Sequence, residues 1–463
     1  MIRSLVTWMD ERLGGAPFLR NALKKAFPDH WSFMLGEVAM YCFLFILASG
    51  TYLTFFFHAS DARVVYDGTA VPSLHGRTMT EAYASVLKLS FETQAGLMIR
   101  QAHHWCALVF AAAIVTHMSR IYFTGAFRKP REINWVIGFT LLLLVMGDGF
   151  TGYSLPGDAL SGAGLKIAQS IALSIPVIGG WVAFLVFGGN MPTAETTNRL
   201  FAIHILFLPL ALGALIALHL GVLWRQKHTQ FPGENRRENN VVGSPLWPNY
   251  TVKSVALMLA TFGLLLLLGG LVEINPIWQY GPYDPWTVSS PAQPDWYVGW
   301  LDGSLRLGPR LALRFGGHTI TALFWAGAAL PLCVFAIVYA WPWIEKLLQG
   351  DRAEHELLQY PWQNPLRTSF GVALLTYVAL LLLAGSDDVQ ARITNISVQT
   401  ITWAYRIAVW VLPPIGFAIA WRVCRELQAR HAYEAEHPPR VVLVRTDEGG
   451  YDEEPVDAPA VVP

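Results

Sequence analysis

The chain has 463 residues, of which 53% are hydrophobic and only 14% are charged, and it contains 18 Trp. This composition is typical of a polytopic membrane protein and argues against a soluble enzyme. The formal net charge is zero, so no nucleic-acid partner is indicated. The four cysteines are scattered and form neither a C-x-x-C-H motif nor a disulfide framework.

The apolar runs predict an all-α polytopic membrane protein with eight transmembrane helices. They lie at about 33–57, 96–123, 133–152, 200–224, 252–273, 319–341, 369–385 and 401–422. The apolar segment 170–188 is broken by Pro and Gly, so we expect it at the outer surface, with a ninth span as the alternative. Lys and Arg concentrate in the segments on the side of the termini. A multi-pass protein of the cell (plasma) membrane with both termini in the cytoplasm is therefore predicted.

The same pattern divides the chain into four predicted parts. Residues 1–32 form a charged, amphipathic cytoplasmic segment that does not resemble a signal peptide. Residues 33–249 contain the first four helices and residues 250–425 the last four. The tail, 426–463, is polar and acidic, and we expect it to be disordered or to dock against a partner.

Two of the predicted spans each contain two histidines about four helical turns apart. His103 and His117 are 14 residues apart, which places them within about 40° of one helix face and about 21 Å apart. His204 and His219 are 15 residues apart, or about 60° and about 22 Å. Because imidazole is a usual axial ligand of haem iron, the pattern predicts two stacked haems b, held by His103 with His204 and by His117 with His219. His104 lies about 140° from His117 and is the poorer ligand.

Two further sets of residues follow the period of these histidines. Arg100 and Arg120 each lie three residues from a predicted ligand, where haem propionates would lie. Two glycine pairs, each 14 residues apart, occur in the first and third spans: Gly36 with Gly50 and Gly138 with Gly152. A glycine permits close approach of a flat group to the backbone, although glycines also let membrane helices pack closely. The shared period favours clearance for haem.

Several motifs together resemble one known family. They are Arg100-x-x-His103, His117-x-x-Arg120, FRKPRE (127–132), TGYSLPGD (151–158) and PDWY (294–297). This set resembles cytochrome b of the quinol:cytochrome c reductase (cytochrome bc) complexes over about residues 25–425. FPDHWSFMLGE (27–37) and QKHTQFPG (226–233) resemble most its actinobacterial branch, which uses menaquinol. The 15-residue spacing of the second histidine pair is similar to the chloroplast-type and actinobacterial arrangement.

The resemblance implies a respiratory, proton-translocating oxidoreductase. Helices one to four would form a four-helix haem-binding bundle, with a four-helix C-terminal part beside it. Menaquinol would be oxidised at an outer site by bifurcated electron transfer, and electrons would cross the two b haems to an inner quinone-reducing site. The implied partners are a Rieske iron–sulfur subunit, a haem c subunit with two haems, a second copy of the chain and a terminal cytochrome c oxidase.

The outer site is expected between the segments 152–165 and 289–307. Quinol oxidation needs a base, and the family uses the acid of a P-E-W-Y motif. Here that acid is Asp295, one methylene shorter, and Asp302 in WLDG is a second candidate for the same role. Two tyrosines are expected to line the pocket or to hydrogen-bond there: Tyr153 and Tyr297.

The inner site departs from the family at two positions. Trp224 stands where a family histidine follows the last ligand, and Ser254 replaces the acid of a Lys-Asp pair. Other groups must therefore deliver the inner protons, and the candidates are Trp31, Glu37, Arg225, His228 and Lys253. For the basic residues among them, a plain positive-inside loop is the alternative.

Two other classes of function are compatible with parts of the pattern. The first is a dihaem membrane anchor that serves a partner dehydrogenase, which would not need the PDWY and GYSLP segments. The second is a transporter whose intramembrane histidines relay protons. A transporter would bind no haem and would leave the matched spacings unexplained.

Overall fold

The structure is a computed structural model that describes residues 7–8, 10–12, 14–189, 193–286, 293–436 and 441–455. In these ranges, eight helices are long and apolar enough to cross a membrane. In chain order they are α1 (Trp31–Thr54), α2 (Gly96–Phe123), α3 (Glu132–Ser154), α4 (Thr196–Gln226), α5 (Leu246–Leu271), α6 (Ala322–Gln349), α7 (Pro365–Ala384) and α8 (Val398–Glu434). The prediction of eight membrane helices is confirmed.

Shorter elements connect these helices. The additional helices are Ala16–Leu23, Glu81–Phe91, Ala159–Ser174, Gly179–Phe187, Ile277–Tyr280, Trp296–Leu307 and Asp387–Thr394. The strands form four antiparallel pairs: Ala26–Phe27 with Ser244–Pro245, Arg63–Val65 with Thr78–Thr80, Leu313–Phe315 with His318–Ile320, and Val441–Arg445 with Tyr451–Pro455. We call the face on which α1 begins and α8 ends the terminal face, and the opposite one the far face.

Two helices extend beyond their predicted spans at the terminal face. α6 continues past Pro342, because the residues that follow it include the good helix formers Glu, Lys and Leu. α8 continues well beyond the predicted end near residue 422 through a sequence rich in Ala, Glu and Arg. The ring of His431 in this extension stacks on Trp362, with ring centroids 4.2 Å apart. The predicted spans end where polar residues begin, whereas the two helices continue through those residues.

Segment 170–188 and the tail have defined local structure. The first contains the end of helix Ala159–Ser174 and the nine-residue helix Gly179–Phe187, and neither is among the membrane-spanning helices. Its exposed side chains include Val177, Ile178 and Trp181. In the tail, which we expected to be disordered or docked, residues 441–455 contain a β-hairpin. Residues 456–463 lie outside the described part of the chain.

The first four helices surround the largest apolar core. α1 packs along α2 and α3 along α4, while α5 packs against both α1 and α2. The buried side chains of this core come mainly from α1 to α6 and include Cys42, Phe43, Cys106, Phe110, Phe139, Val145, Leu212, Leu265 and Trp341. Two cavities remain within the bundle, one near each face.

Helix Trp296–Leu307 joins the two halves of the protein at the far face. It packs on α7 and α8 through an apolar cluster that includes Trp300, Leu381 and Val409. Its first turn also contacts α2 and α3, and Tyr297 belongs to the core of the first four helices. This packing places the PDWY motif against the first bundle.

A buried ion pair secures the terminal face between α6 and α7. Arg367 is fully buried and donates from Nε and Nη2 to Glu345, with a shortest distance of 2.6 Å. Trp341 and Asn364 also donate to this carboxylate. A Cβ at Gly125 would lie 2.6 Å from Nη1 of Arg367, so only glycine fits there. The Arg367 side chain therefore also packs closely against the loop after α2.

Candidate functional site

The two cavities contain the four predicted histidine ligands. α2 and α4 both run from the far face to the terminal face, so their first histidines lie near the far face. The first cavity, of about 380 Å³, is lined by His103 and His204. The second cavity, of about 430 Å³, is lined by His117 and His219 near the terminal face. The structure thus brings the histidines together in the two predicted pairs.

The histidines of the first cavity face each other with their Nδ1 atoms occupied. His103 Nδ1–H donates to Ser49 Oγ at 2.9 Å, and the Ser49 hydroxyl donates to Phe45 O. His204 Nδ1–H donates to the backbone and side-chain oxygens of Asp148, both at 3.0 Å. These bonds fix the tautomer that leaves each Nε2 with its lone pair, the state of a metal-ligating imidazole.

The separation of these two rings fits one shared metal atom. Their centroids are 6.3 Å apart, and the planes are 84° to each other. Two imidazoles bound to one metal atom, each through a bond of about 2 Å, have ring centres about 6 Å apart. In the second cavity, the rings of His117 and His219 border the same space, which Gly36 and Gly138 also line.

Each of the four predicted glycines faces one of these imidazoles. A Cβ added to any of these glycines would lie at or below van der Waals contact distance from a histidine Cε1. The distances are 3.1 Å from Gly36 to His117, 3.2 Å from Gly50 to His103, 3.6 Å from Gly138 to His219 and 2.5 Å from Gly152 to His204. Larger residues would fill the space beside the imidazoles. The glycines therefore leave room for the imidazoles against α1 and α3.

A π-helical turn accounts for the unequal spacing of the two histidine pairs. Residues Ile203–Phe207 form this turn, in which Leu208 N–H donates to the carbonyl five residues earlier. Pro209 follows, and because it lacks an N–H and would clash with the carbonyl four residues before it, a wider turn is favoured here. The turn holds one surplus residue. His204 and His219, 15 residues apart, consequently face glycines of α3 that are 14 residues apart.

The two predicted arginines line the cavities beside the histidines. Arg100 borders the first cavity and donates from Nη2 to the Asn275 carbonyl at 3.2 Å. Arg120 borders the second cavity and lies over the ring of Phe33 at 4.1 Å. Arg100 Nε and Arg120 Nε and Nη2 are buried without a hydrogen-bond partner among the described residues. Each arginine therefore has donors available for an anionic group such as a propionate.

Asp295 is at the wall of the first cavity, together with both predicted tyrosines. His104 Nε2–H donates to its Oδ1 and Oδ2 at 2.9 and 3.1 Å, and Tyr297 OH donates to Oδ2 at 2.9 Å. The Tyr153 hydroxyl instead donates to the Gln293 carbonyl at 3.0 Å. Residues 289–292 of the predicted outer segment lie outside the described part of the chain. Among the described residues, Asp148 and Asp295 are the only acidic residues that line this cavity.

Asp302 does not line this cavity. Its carboxylate pairs with Arg306 at 2.8 Å, and the same guanidinium pairs with Asp387 and, at 2.9 Å, with Asp388. Burial raises the pKa of Asp302 to about 6. The two outer acid candidates are thus separated: one borders the first cavity, and the other belongs to an ion-pair cluster that joins helix Trp296–Leu307 to the segment before α8.

The five inner candidates also divide into two groups. Glu37 and His228 line the second cavity. Burial lowers the pKa of His228 to about 4, so its ring is neutral at physiological pH. Trp31 and Arg225 are exposed, and Lys253 is paired with Asp29 at 2.7 Å near the surface. These three do not line either cavity.

Hydroxyl groups from α1 and α5 hold the Glu37 carboxylate at the second cavity. Tyr41 OH donates to Oε2 at 3.1 Å, Ser254 Oγ donates to the same atom at 2.7 Å, and Tyr250 OH donates to Oε1. Ser254, which replaces a family acid, therefore contacts a carboxylate supplied by another helix. The cavity retains one acid close to that position.

Several residues of the two cavities were not identified from the sequence. Asp148 was detectable as a single carboxylate within an apolar span, because such groups are usually functional. His104 had the same signal but was considered only as a haem ligand. Ser49, Tyr41 and Tyr250 had no signal, since hydroxyl side chains in membrane helices commonly bond to their own backbone.

Comparisons with known proteins identify relatives over most of the chain. Residues 108–282 match the family described as "Cytochrome b(N-terminal)/b6/petB". The chain is 46% identical over 429 residues to the cytochrome bc1 complex cytochrome b subunit of Corynebacterium efficiens, covering 93% of this chain and 79% of that protein. It is 47% identical over 447 residues to the subunit of the same name from Mycobacterium tuberculosis, covering 96% and 81%.

A solved structure supports the fold independently. The chain matches one titled "Hyperthermophilic respiratory Complex III" with a TM-score of 0.66 and 19% sequence identity, over 90% of this chain and 99% of that one. At this identity the match concerns the fold alone. Together with the high identity and coverage of the relatives, it leads to one conclusion: the chain belongs to the cytochrome b subunits of cytochrome bc1 complexes, multi-pass membrane proteins of respiratory electron transfer.

Proposed function

We propose that this chain is the dihaem subunit of a menaquinol:cytochrome c oxidoreductase with a quinol-oxidising site outside and a quinone-reducing site inside. The observation that carries the proposal is the pair of cavities, each bordered by two facing histidines and two glycines. His103 with His204 would hold an outer haem b and His117 with His219 an inner one. When bound, these haems transfer single electrons between the two cavities.

Asp295 is the proposed base of the outer site. Oxidation of a quinol releases two electrons and two protons, and a carboxylate at the cavity wall can accept a hydroxyl proton as an electron leaves. One electron goes to an iron–sulfur partner, which this chain cannot replace because its cysteines are scattered. The other goes to the first cavity. Both protons are released outside.

Glu37 is the proposed acid of the inner site. Reduction of a quinone takes two electrons, and therefore two outer turnovers, together with two protons from the inner side. Glu37 accepts three hydroxyl donors and borders the second cavity, where it can hold a proton for the quinone. His228 borders the same cavity, and its buried Nδ1 has no partner among the described residues, so it can bond to a quinone oxygen.

The proposed orientation and partners complete this function. With both termini in the cytoplasm, the first cavity lies outside and the second inside, so electron transfer between them is electrogenic. The expected partners are the Rieske iron–sulfur subunit, a dihaem cytochrome c subunit, a second copy of the chain and a terminal oxidase.

Substitution of each outer acid in the assembled complex tests the proposal. Reduced dimethylnaphthoquinone serves as the quinol, and reduction of the cytochrome c subunit is measured. Asp295→Asn is expected to lower kcat about 100-fold or more with both b haems retained, because it removes a general base. Asp302→Asn is the matched control and should change kcat little. A larger loss in the control, at full haem content, would assign the base to Asp302 instead.

A further inference from the structure

Asp295 lies at a helix N-terminus but does not cap it. It is the N-cap residue of helix Trp296–Leu307, and its side chain makes no capping hydrogen bond. Aspartate at this position normally accepts a bond from one of the first free N–H groups of the helix, which stabilises the helix. Here the carboxylate turns away from its own backbone and borders the first cavity. Another contact to the Asp295 carboxylate must therefore compete with the capping hydrogen bond.

His104 contacts both oxygens of that carboxylate from a different helix. Its Nε2 is within hydrogen-bond distance of both oxygens, at 2.9 and 3.1 Å, and the His104 and Asp295 side chains are only 12% and 13% exposed. An ionised carboxylate only accepts hydrogen bonds, so Nε2 carries the proton and donates it. Tyr297 gives a single additional bond to Oδ2 from the same short helix as Asp295.

The position of His104 on α2 links the two parts of the outer site. It follows the proposed ligand His103 directly, so the two rings point about 100° apart around the helix. His103 faces α4, and His104 faces helix Trp296–Leu307, with its ring edge-on to Tyr153 at 6.2 Å. One turn of α2 therefore sets both a histidine of the first pair and the direction of the Asp295 side chain.

We propose that His104 positions Asp295 at the outer cavity by donating its Nε2–H to the carboxylate and so keeping it from capping its own helix. This inference rests on the proposed function, in which Asp295 accepts a proton from quinol. It also explains how an acid one methylene shorter than the family's glutamate is held at the cavity wall. His104 acts through Asp295 and is a positioning residue.

Two substitutions of His104 in the assembled complex separate positioning from general structure. His104→Leu keeps a similar volume but has no donor, and it is expected to lower kcat for dimethylnaphthoquinol about 10- to 100-fold at nearly constant KM. His104→Gln retains an N–H donor and should recover most of the loss. Both variants should keep the parental optical spectrum of the b haems. A cryo-EM map of His104→Leu should show the Asp295 carboxylate on the N–H groups of its own helix.

The outcomes distinguish this inference from the proposed function. If His104→Leu keeps the parental kcat while Asp295→Asn loses activity, the positioning role is wrong and the role of Asp295 stands. If Asp295→Asn is fully active, the role of Asp295 fails and the inference fails with it. A His104→Gln variant as slow as His104→Leu, or an unmoved carboxylate in the map, would also overturn the positioning role.

Discussion

Substitution of Gly152 by alanine tests the proposed haem site by adding a single carbon atom beside His204. The new Cβ would lie 2.5 Å from Cε1 of His204, whereas two carbon atoms in ordinary contact are about 3.5–4.0 Å apart. The imidazole or α3 must move by about 1 Å to relieve this overlap. Such overpacking costs about 1–3 kcal/mol, equivalent to haem binding about 5- to 150-fold weaker.

Haem extraction and redox-difference spectra of the purified protein measure this effect. Gly147→Ala is the matched control, because Gly147 is in the same helix and a Cβ there meets nothing within 4 Å. We expect Gly152→Ala to bind the outer haem more weakly and to retain less of it than the parent, Gly138→Ala to lose little at its 3.6 Å contact, and Gly147→Ala to keep both haems. Full haem content in Gly152→Ala, or an equal loss in Gly147→Ala, would refute the clearance argument.

Three further predictions concern the π-turn of α4, the inner site and the buried ion pair of Arg367. Deleting Ala214 together with Pro209→Ala shortens the histidine spacing to that of α2 and should keep both haems through loss of the π-turn that Pro209 favours. Inserting one alanine at position 214 should instead remove one haem; haem extraction measures both. Glu37→Gln should slow quinone reduction at the inner site while quinol still reduces the b haems. Lys253→Gln, the exposed control, should leave both reactions unchanged; stopped-flow spectra compare the two variants. Arg367→Met alone should destabilise the protein by about 3–5 kcal/mol, because it leaves a buried charge unpaired. Arg367→Met with Glu345→Leu should recover most of the thermal stability, and a double variant as unstable as the single one would contradict this account.

The membrane helices could be predicted from the sequence because their signal is local. An apolar run of about 20 residues has few alternatives to a spanning helix. Their ends were less predictable, since α8 continues through polar residues that favour helix without being apolar. The histidine pairs could be predicted for a related reason: four intramembrane imidazoles at matched spacing are costly unless they have a ligand.

The wall of each cavity could not be predicted, because it depends on contacts between helices distant in sequence. Glu37 meets Ser254 across 217 residues, and His104 meets Asp295 across 191 residues. A single sequence carries no signal for such pairs. For the same reason, Asp295 and Asp302 were equal candidates for the outer base. Only packing distinguishes an acid at a cavity from an acid in an ion-pair cluster.

The π-turn in α4 was predictable in part. Pro209 indicated a disturbed helix, but straight-helix geometry placed His204 and His219 about 60° apart. One surplus residue in a wide turn removes that offset, and only the backbone hydrogen bond from Leu208 N–H to the Ile203 carbonyl identifies it. Although His204 and His219 are 15 residues apart, both therefore still face glycines of α3.

The central claim is that two haems b are held by the two histidine pairs. A redox-titrated optical spectrum of the purified protein, combined with haem extraction, tests it most directly. Two b haems per chain with separable midpoint potentials are expected. A single haem, or none, would contradict the four-ligand assignment and favour the transporter whose histidines relay protons.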